Sequence, residues 1–157
     1  MGIVALVARV AIGALLVIAG TIKLHDGAGS TASAIAAYRL LPPVVVAPLG
    51  IALPYVEVVL GAYLVAGFQT RAAAAIAALQ FVVFAAAVGS LVVRHIPADC
   101  GCFGSALPTA PSWGHVAVDL GLALLAFGVA RAGSGRFSVD RLLGDGFDGA
   151  EQPARVL

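Results

Sequence analysis

The chain has 157 residues, a net charge of +1, 11% charged residues and a mean hydropathy of +1.05. Soluble domains carry about 25% charged residues, so this composition excludes one and indicates a protein that lives in a lipid bilayer. The near-zero charge gives no reason to expect nucleic acid as a partner, and two cysteines are too few for a disulfide-stapled scaffold.

Ile3 to Leu24 is apolar apart from Arg9, Thr21 and Lys23. At about 1.5 Å per residue it is long enough to cross a hydrocarbon core of about 30 Å. It is too long for the apolar region of a signal peptide, and its only early positive charge lies inside it, so it reads as a retained span. The connection His25 to Pro43 predicts a short helix capped by Ser30 or Thr31 and running to Leu41. Ala34, Tyr38 and Leu41, with Ile35 alongside, form one apolar face. Such a helix would lie in the membrane interface as a lid on the bundle, ended by Pro42-Pro43.

Val44 to Phe68 predicts a second span, with Pro48 near its first turn, a kink at Pro54, and an acid, Glu57, inside it. A turn at Gln69-Thr70-Arg71 leads into an alanine-rich third span, Ala72 to Val93, whose polar interruptions Gln80 and Ser90 read as hydrogen-bonders between helices. Ile96 to Ser112 is a loop stiffened by Pro97, Pro108 and Pro111. A fourth span runs from Trp113, an interface residue, to Ala130. The expected fold is an all-α integral membrane four-helix bundle with a short interfacial helix between spans one and two. Its four-span domain covers 1–131, and a mobile cytoplasmic tail covers 132–157. Gly13, Gly20, Gly61 and Gly67 suit close helix packing. Arginines 71, 131 and 136 gather at one side and Lys23, Arg39 and Arg94 at the other, with Arg9 able to snorkel to the first. That bias favours cytoplasmic termini in a plasma membrane.

With that orientation the loop Asp99-Cys100-Gly101-Cys102-Phe103-Gly104 faces outward, where disulfides persist. Gly101 gives the backbone freedom for Cys100 and Cys102 to meet, and a disulfide across so short a loop is strained and therefore suited to exchange. Lys23, Arg39 or Arg94 near a thiol would favour its thiolate; ordinary snorkelling explains each cation equally well. Glu57 near the midplane is an expensive carboxylate, read either as a proton relay and quinone anchor or as a structural partner of Arg9 or Lys23. His115 and Asp119, at i and i+4, share one face of the fourth span. They would tune a thiolate or pass its proton, unless His115 is simply wet and Asp119 paired with Lys23 or Arg94. A metal held by Cys100, Cys102 and His95 or His115 needs a fourth ligand, with Asp99 nearest, and the spacing is a weak metal signal.

Gly20-x-x-Lys23-Leu24, Tyr38-Arg39-Leu40-Leu41-Pro42, Pro54-x-x-Glu57-x-x-x-Gly61 and the Cys-Gly-Cys-Phe-Gly block resemble the DoxX/MauE-like family, and the MauE branch most closely. The resemblance covers residues 1 to 130. It implies a small four-helix membrane protein engaged in thiol–disulfide chemistry with an extracytoplasmic thioredoxin-like partner, and a quinone as electron partner. The arrangement is also similar to vitamin K epoxide reductase, but with Cys-x-Cys in place of Cys-x-x-Cys and no second pair. On this reading Cys100 and Cys102 exchange disulfides, Lys23 or Arg94 stabilises a thiolate, and Asp119 or Glu57 handles the proton. Glu57, Lys23, Arg94 and His115 are the candidates to surround a quinone. The alternatives are a non-enzymatic assembly subunit with a structural disulfide, and a metal or solute carrier, which with four short spans would require an oligomer.

Overall fold

The computed structural model describes residues 2–98 and 109–132, all helix and short connections. In chain order the helices are α1 (Gly2–Asp26), α2 (Ala28–Ala37), α3 (Pro43–Ala66), α4 (Thr70–Val93) and α5 (Trp113–Ala132). Four of them, all but α2, are long and apolar enough to cross a membrane. Their outer faces carry Val7, Ile18, Ile51, Val59, Leu79, Val83 and Leu124, all exposed. An apolar exterior of this extent suits lipid rather than water. The protein is an all-α multi-pass membrane bundle.

The bundle is built of two tight pairs, α1 with α3 and α4 with α5, while α3 and α4 touch far less. Small residues make the first pair. A Cβ on Gly61 would lie 2.5 Å from the Gly13 carbonyl oxygen, so the two backbones meet where neither residue has a side chain. Below the middle of the bundle the four spans share a dry core: Ile12 and Leu16, Leu60 and Leu64, the alanines 73, 74, 77 and 78 with Phe81, and Ala123, Ala126 and Val129.

The four spans match the expected segments to within a few residues, and two boundaries have clear causes. Gly67 (φ 73°) adopts the left-handed conformation and its N–H donates to the Tyr63 carbonyl at 2.8 Å, closing α3 two residues before Phe68. At the other end, α3 runs through both Pro48 and Pro54. The short helix is shifted from its expected place. It begins after Gly27 (φ 86°) rather than at a Ser30 or Thr31 cap, and Ser33 Oγ bonds back to the Gly29 carbonyl at 2.8 Å. It ends at Ala37, because Arg39 turns left-handed (φ 51°) ahead of the extended backbone that Pro42 and Pro43 impose. The apolar face survives the shift: Ala34, Ile35 and Tyr38, with Leu41 beyond the helix end, line one cavity.

Candidate functional site

The site is a buried polar layer with an apolar cavity above it. Gly20 sets the layer: a Cβ there would lie 2.7 Å from the Pro54 carbonyl oxygen and 3.0 Å from Glu57 Cβ. Because α1 can come this close to α3, Lys23, almost one turn further on, reaches the acid. Lys23 Nζ donates to Glu57 Oε1 at 2.5 Å, with the two residues only 3% and 1% exposed. Gln80 Nε2 of α4 donates to the same oxygen at 3.3 Å. The other carboxylate oxygen, Glu57 Oε2, is buried and has no hydrogen-bond partner among the described residues. Lys23 Nζ also lies 5.4 Å from the centre of the Phe84 ring, a cation–π contact that offsets part of its desolvation. The pairing is with Lys23 and not with Arg9, the other partner the sequence left open.

Asp119 enters from α5. Its side chain is buried, and Oδ2 has no hydrogen-bond partner among the described residues. His115, one turn nearer the helix start, has Nδ1 2.8 Å from Ser112 Oγ at the mouth of α5.

The cavity above the layer holds about 520 Å³. Leu49 and Leu53 of α3 and Val83, Phe84 and Val88 of α4 form its walls, α2 covers it, and Lys23 is its cation. It fills the gap left where α3 and α4 part. Thr31, Tyr38 and Ser90 also line it. Arg94, the other rim cation expected near a ligand or thiol, has a partner among the described residues. Its guanidinium donates from Nη1 to the Tyr38 carbonyl at 2.8 Å, tying the end of α4 to the end of the covering helix. Lys23, the other cation offered for a thiolate, sits inside the bundle with Glu57. Ser90 does not bridge helices either; its hydroxyl donates to the Ala87 carbonyl of its own helix at 2.7 Å.

Cys100 and Cys102, with Asp99, lie outside the described residues. The chain leaves α4 at Arg94 and re-enters α5 at Trp113. Both points are at the end of the bundle that carries α2 and the cavity, because α3 and α4 are joined by a tight turn at the other end. The structure therefore brings Lys23 and Glu57 into contact, buries Asp119 on α5, and leaves Arg94 and His115 at the rim. Gln80 is the member of the layer that the sequence placed between helices but not in the site. A lone amide in an alanine-rich span was its signal.

These features define a four-span α-helical membrane protein with a buried acid–base layer beneath an apolar cavity. The family model of the methylamine utilisation protein MauE matches residues 1–132, and the chain belongs to that family. No curated protein and no solved structure matches it. The wider likeness to DoxX rests on the sequence motifs alone.

Proposed function

We propose that the protein is a membrane thiol–disulfide oxidoreductase that exchanges electrons between an extracytoplasmic thioredoxin-like partner and a quinone, in the service of methylamine utilisation. The observation that carries this reading is the cavity. It is apolar, of a size that suits a small aromatic ring, has one cation at its floor, and opens in the half of the bundle from which the cysteine connection departs. A quinone ring is apolar with two carbonyl acceptors, and this cavity offers Lys23 and the hydroxyl-bearing Thr31 and Tyr38 among aliphatic side chains. When bound there, a quinone would supply a two-electron, two-proton acceptor for the dithiol.

The protein's own part is disulfide exchange. One cysteine thiolate of the partner attacks the Cys100–Cys102 disulfide, forming a mixed disulfide and freeing one thiol. The partner's second thiolate then displaces the remaining cysteine, so the partner leaves oxidised and Cys100 and Cys102 leave as two thiols. The reverse direction uses the same bonds. The arginine distribution supports a plasma-membrane orientation with cytoplasmic termini and the cysteine connection outside. Cys100→Ser and Cys102→Ser, each assayed for exchange with a reduced thioredoxin-like protein, test the mechanism. Loss of turnover in both is expected, and full exchange by either single variant would overturn it.

One observation favours a second reading, a non-enzymatic assembly subunit. A fully buried Lys23–Glu57 pair can fasten α1 to α3 with no chemistry at all. On that reading the double serine variant supports methylamine growth as the parent does.

A further inference from the structure

The exposure of the residues lining the cavity shows where it is closed and where it opens. On the α2 side Thr31 is buried and Ala34, Ile35 and Tyr38 are half-buried. Lys23 at the floor is buried as well, and Arg94 ties the end of α4 to the Tyr38 carbonyl across the outer end. The exposed lining residues are Leu40 and Leu41, in the connection after α2, and Val83 and Ala86 on α4. None of the four is polar. Val83 lies about 16 Å further into the bundle than Arg94 at 1.5 Å per residue, a depth that falls within a hydrocarbon core of about 30 Å. The mouth therefore meets lipid rather than water. Leu79 and Ile76, both exposed, continue the same face of α4 below Val83.

The one charged residue in the lining constrains what can fill the cavity. An ammonium has three N–H donors. Lys23 gives one to Glu57 and meets the Phe84 ring from another side, so Nζ has a donor to offer an acceptor in the cavity. An acyl chain has no acceptor. A phospholipid brings a phosphate, and the charge of Lys23 is already answered by Glu57. A neutral carbonyl on an apolar ring suits both the cation and the walls. At about 520 Å³ the cavity also has room beyond a small ring.

We propose that the mouth between Leu40-Leu41 and Val83-Ala86 is a lateral portal for a quinone with a hydrocarbon tail. The quinone enters from the bilayer, its ring seats toward Lys23, and its tail leaves along Val83, Leu79 and Ile76. The inference deepens the oxidoreductase reading and rests on it for the choice of a quinone. It makes the electron partner a lipid-resident, tailed quinone rather than a water-soluble carrier.

The test is photolabelling of the full chain in phosphatidylcholine nanodiscs, using a benzoquinone whose tail carries a diazirine near the ring, followed by peptide mapping. Adducts should concentrate on Leu40, Leu41, Val83 and Ala86. At saturation they should fall about tenfold when unlabelled tailed quinone is in about tenfold excess over the probe, while adducts on Ile51 and Leu124, exposed elsewhere, stay unchanged. Ala87→Trp should remove the displaceable adducts, and Leu53→Phe, a smaller filling of the same cavity, should reduce them; circular dichroism confirms that each is folded. The displacement in the parent decides the matter without either variant. Labelling spread evenly over the exposed faces and not displaced would overturn the portal, as would displaceable labelling confined to Thr31 and Ile35 of α2. A phosphatidylcholine with a diazirine in its acyl chain that labels the mouth and is retained against excess quinone would make the cavity a lipid site and overturn it too. A quinone that labels the mouth but leaves Cys100 and Cys102 reduced would sink the oxidoreductase reading and leave the portal standing. One that oxidises the cysteines without displaceable labelling at the mouth would do the reverse.

Discussion

Removing Glu57 alone should harm the fold far more than removing Glu57 and Lys23 together. In Glu57→Leu the Lys23 ammonium stays buried and loses the carboxylate it pairs with, and Gln80 loses its acceptor. Breaking a buried ion pair from one side costs about 3–5 kcal/mol, because an uncompensated charge remains. The Phe84 ring, 5.4 Å from Nζ, retains about 2 kcal/mol of that for a desolvated cation, so a loss of about 1–3 kcal/mol is expected. Lys23→Met/Glu57→Leu replaces both charges by apolar groups of similar volume, a change that is neutral or stabilising in other buried pairs. Against this stands the half-buried Gln80 amide, at about 1 kcal/mol. The double variant should therefore lie within about 1 kcal/mol of the parent, giving a coupling energy of several kcal/mol between the two positions. Reversible unfolding in mixed micelles, followed by far-ultraviolet circular dichroism, measures all three variants and the Lys23→Met control. Additive single effects, or a Glu57→Leu loss below about 1 kcal/mol, would refute the buried-pair reasoning.

The helix contacts give a second contrast. Gly61→Ala places a methyl 2.5 Å from the Gly13 carbonyl and should cost about 1–3 kcal/mol, whereas Gly128→Ala meets nothing within 4 Å and should be neutral or gain about 0.5 kcal/mol; the same unfolding assay ranks them. Filling the cavity with Ala87→Trp should abolish the thermal stabilisation that a soluble quinone analogue gives the parent, which at a hundredfold excess over Kd is about 2.7 kcal/mol. Persistence of that shift would place the analogue elsewhere. Arg94→Ala removes the tie to the Tyr38 carbonyl, so amide exchange across α2 should accelerate while α4 remains protected.

The spans were legible because lipid demands long apolar runs, and each run announces itself in composition. Glu57 was legible for the same reason, since a carboxylate within α3 has to be accounted for. What the sequence left open was the choice between partners. Arg9 and Lys23 both lie on α1, and only the close approach of Gly20 to Pro54 decides for Lys23. The short helix was placed a few residues late because serine and threonine are strong caps in general, yet here Gly27 and Arg39, both at positive φ, set its ends. The charge of Arg94 is visible in sequence, whereas its carbonyl partner, 56 residues away, is not. The cavity had no sequence signature at all. It exists because α3 and α4 diverge beneath α2, a property of packing rather than of any one residue.

The central claim is that the cysteine pair and the cavity belong to one electron path, and anaerobic thiol alkylation tests it most directly. Purified, fully reduced protein is treated with a quinone, then with an alkylating reagent, beside the Ala87→Trp variant. The account expects the quinone to convert Cys100 and Cys102 from alkylated thiols into a protected disulfide in the parent and not in the cavity-filled variant. Thiols that remain alkylated in the parent, or that oxidise equally well with the cavity filled, would contradict it.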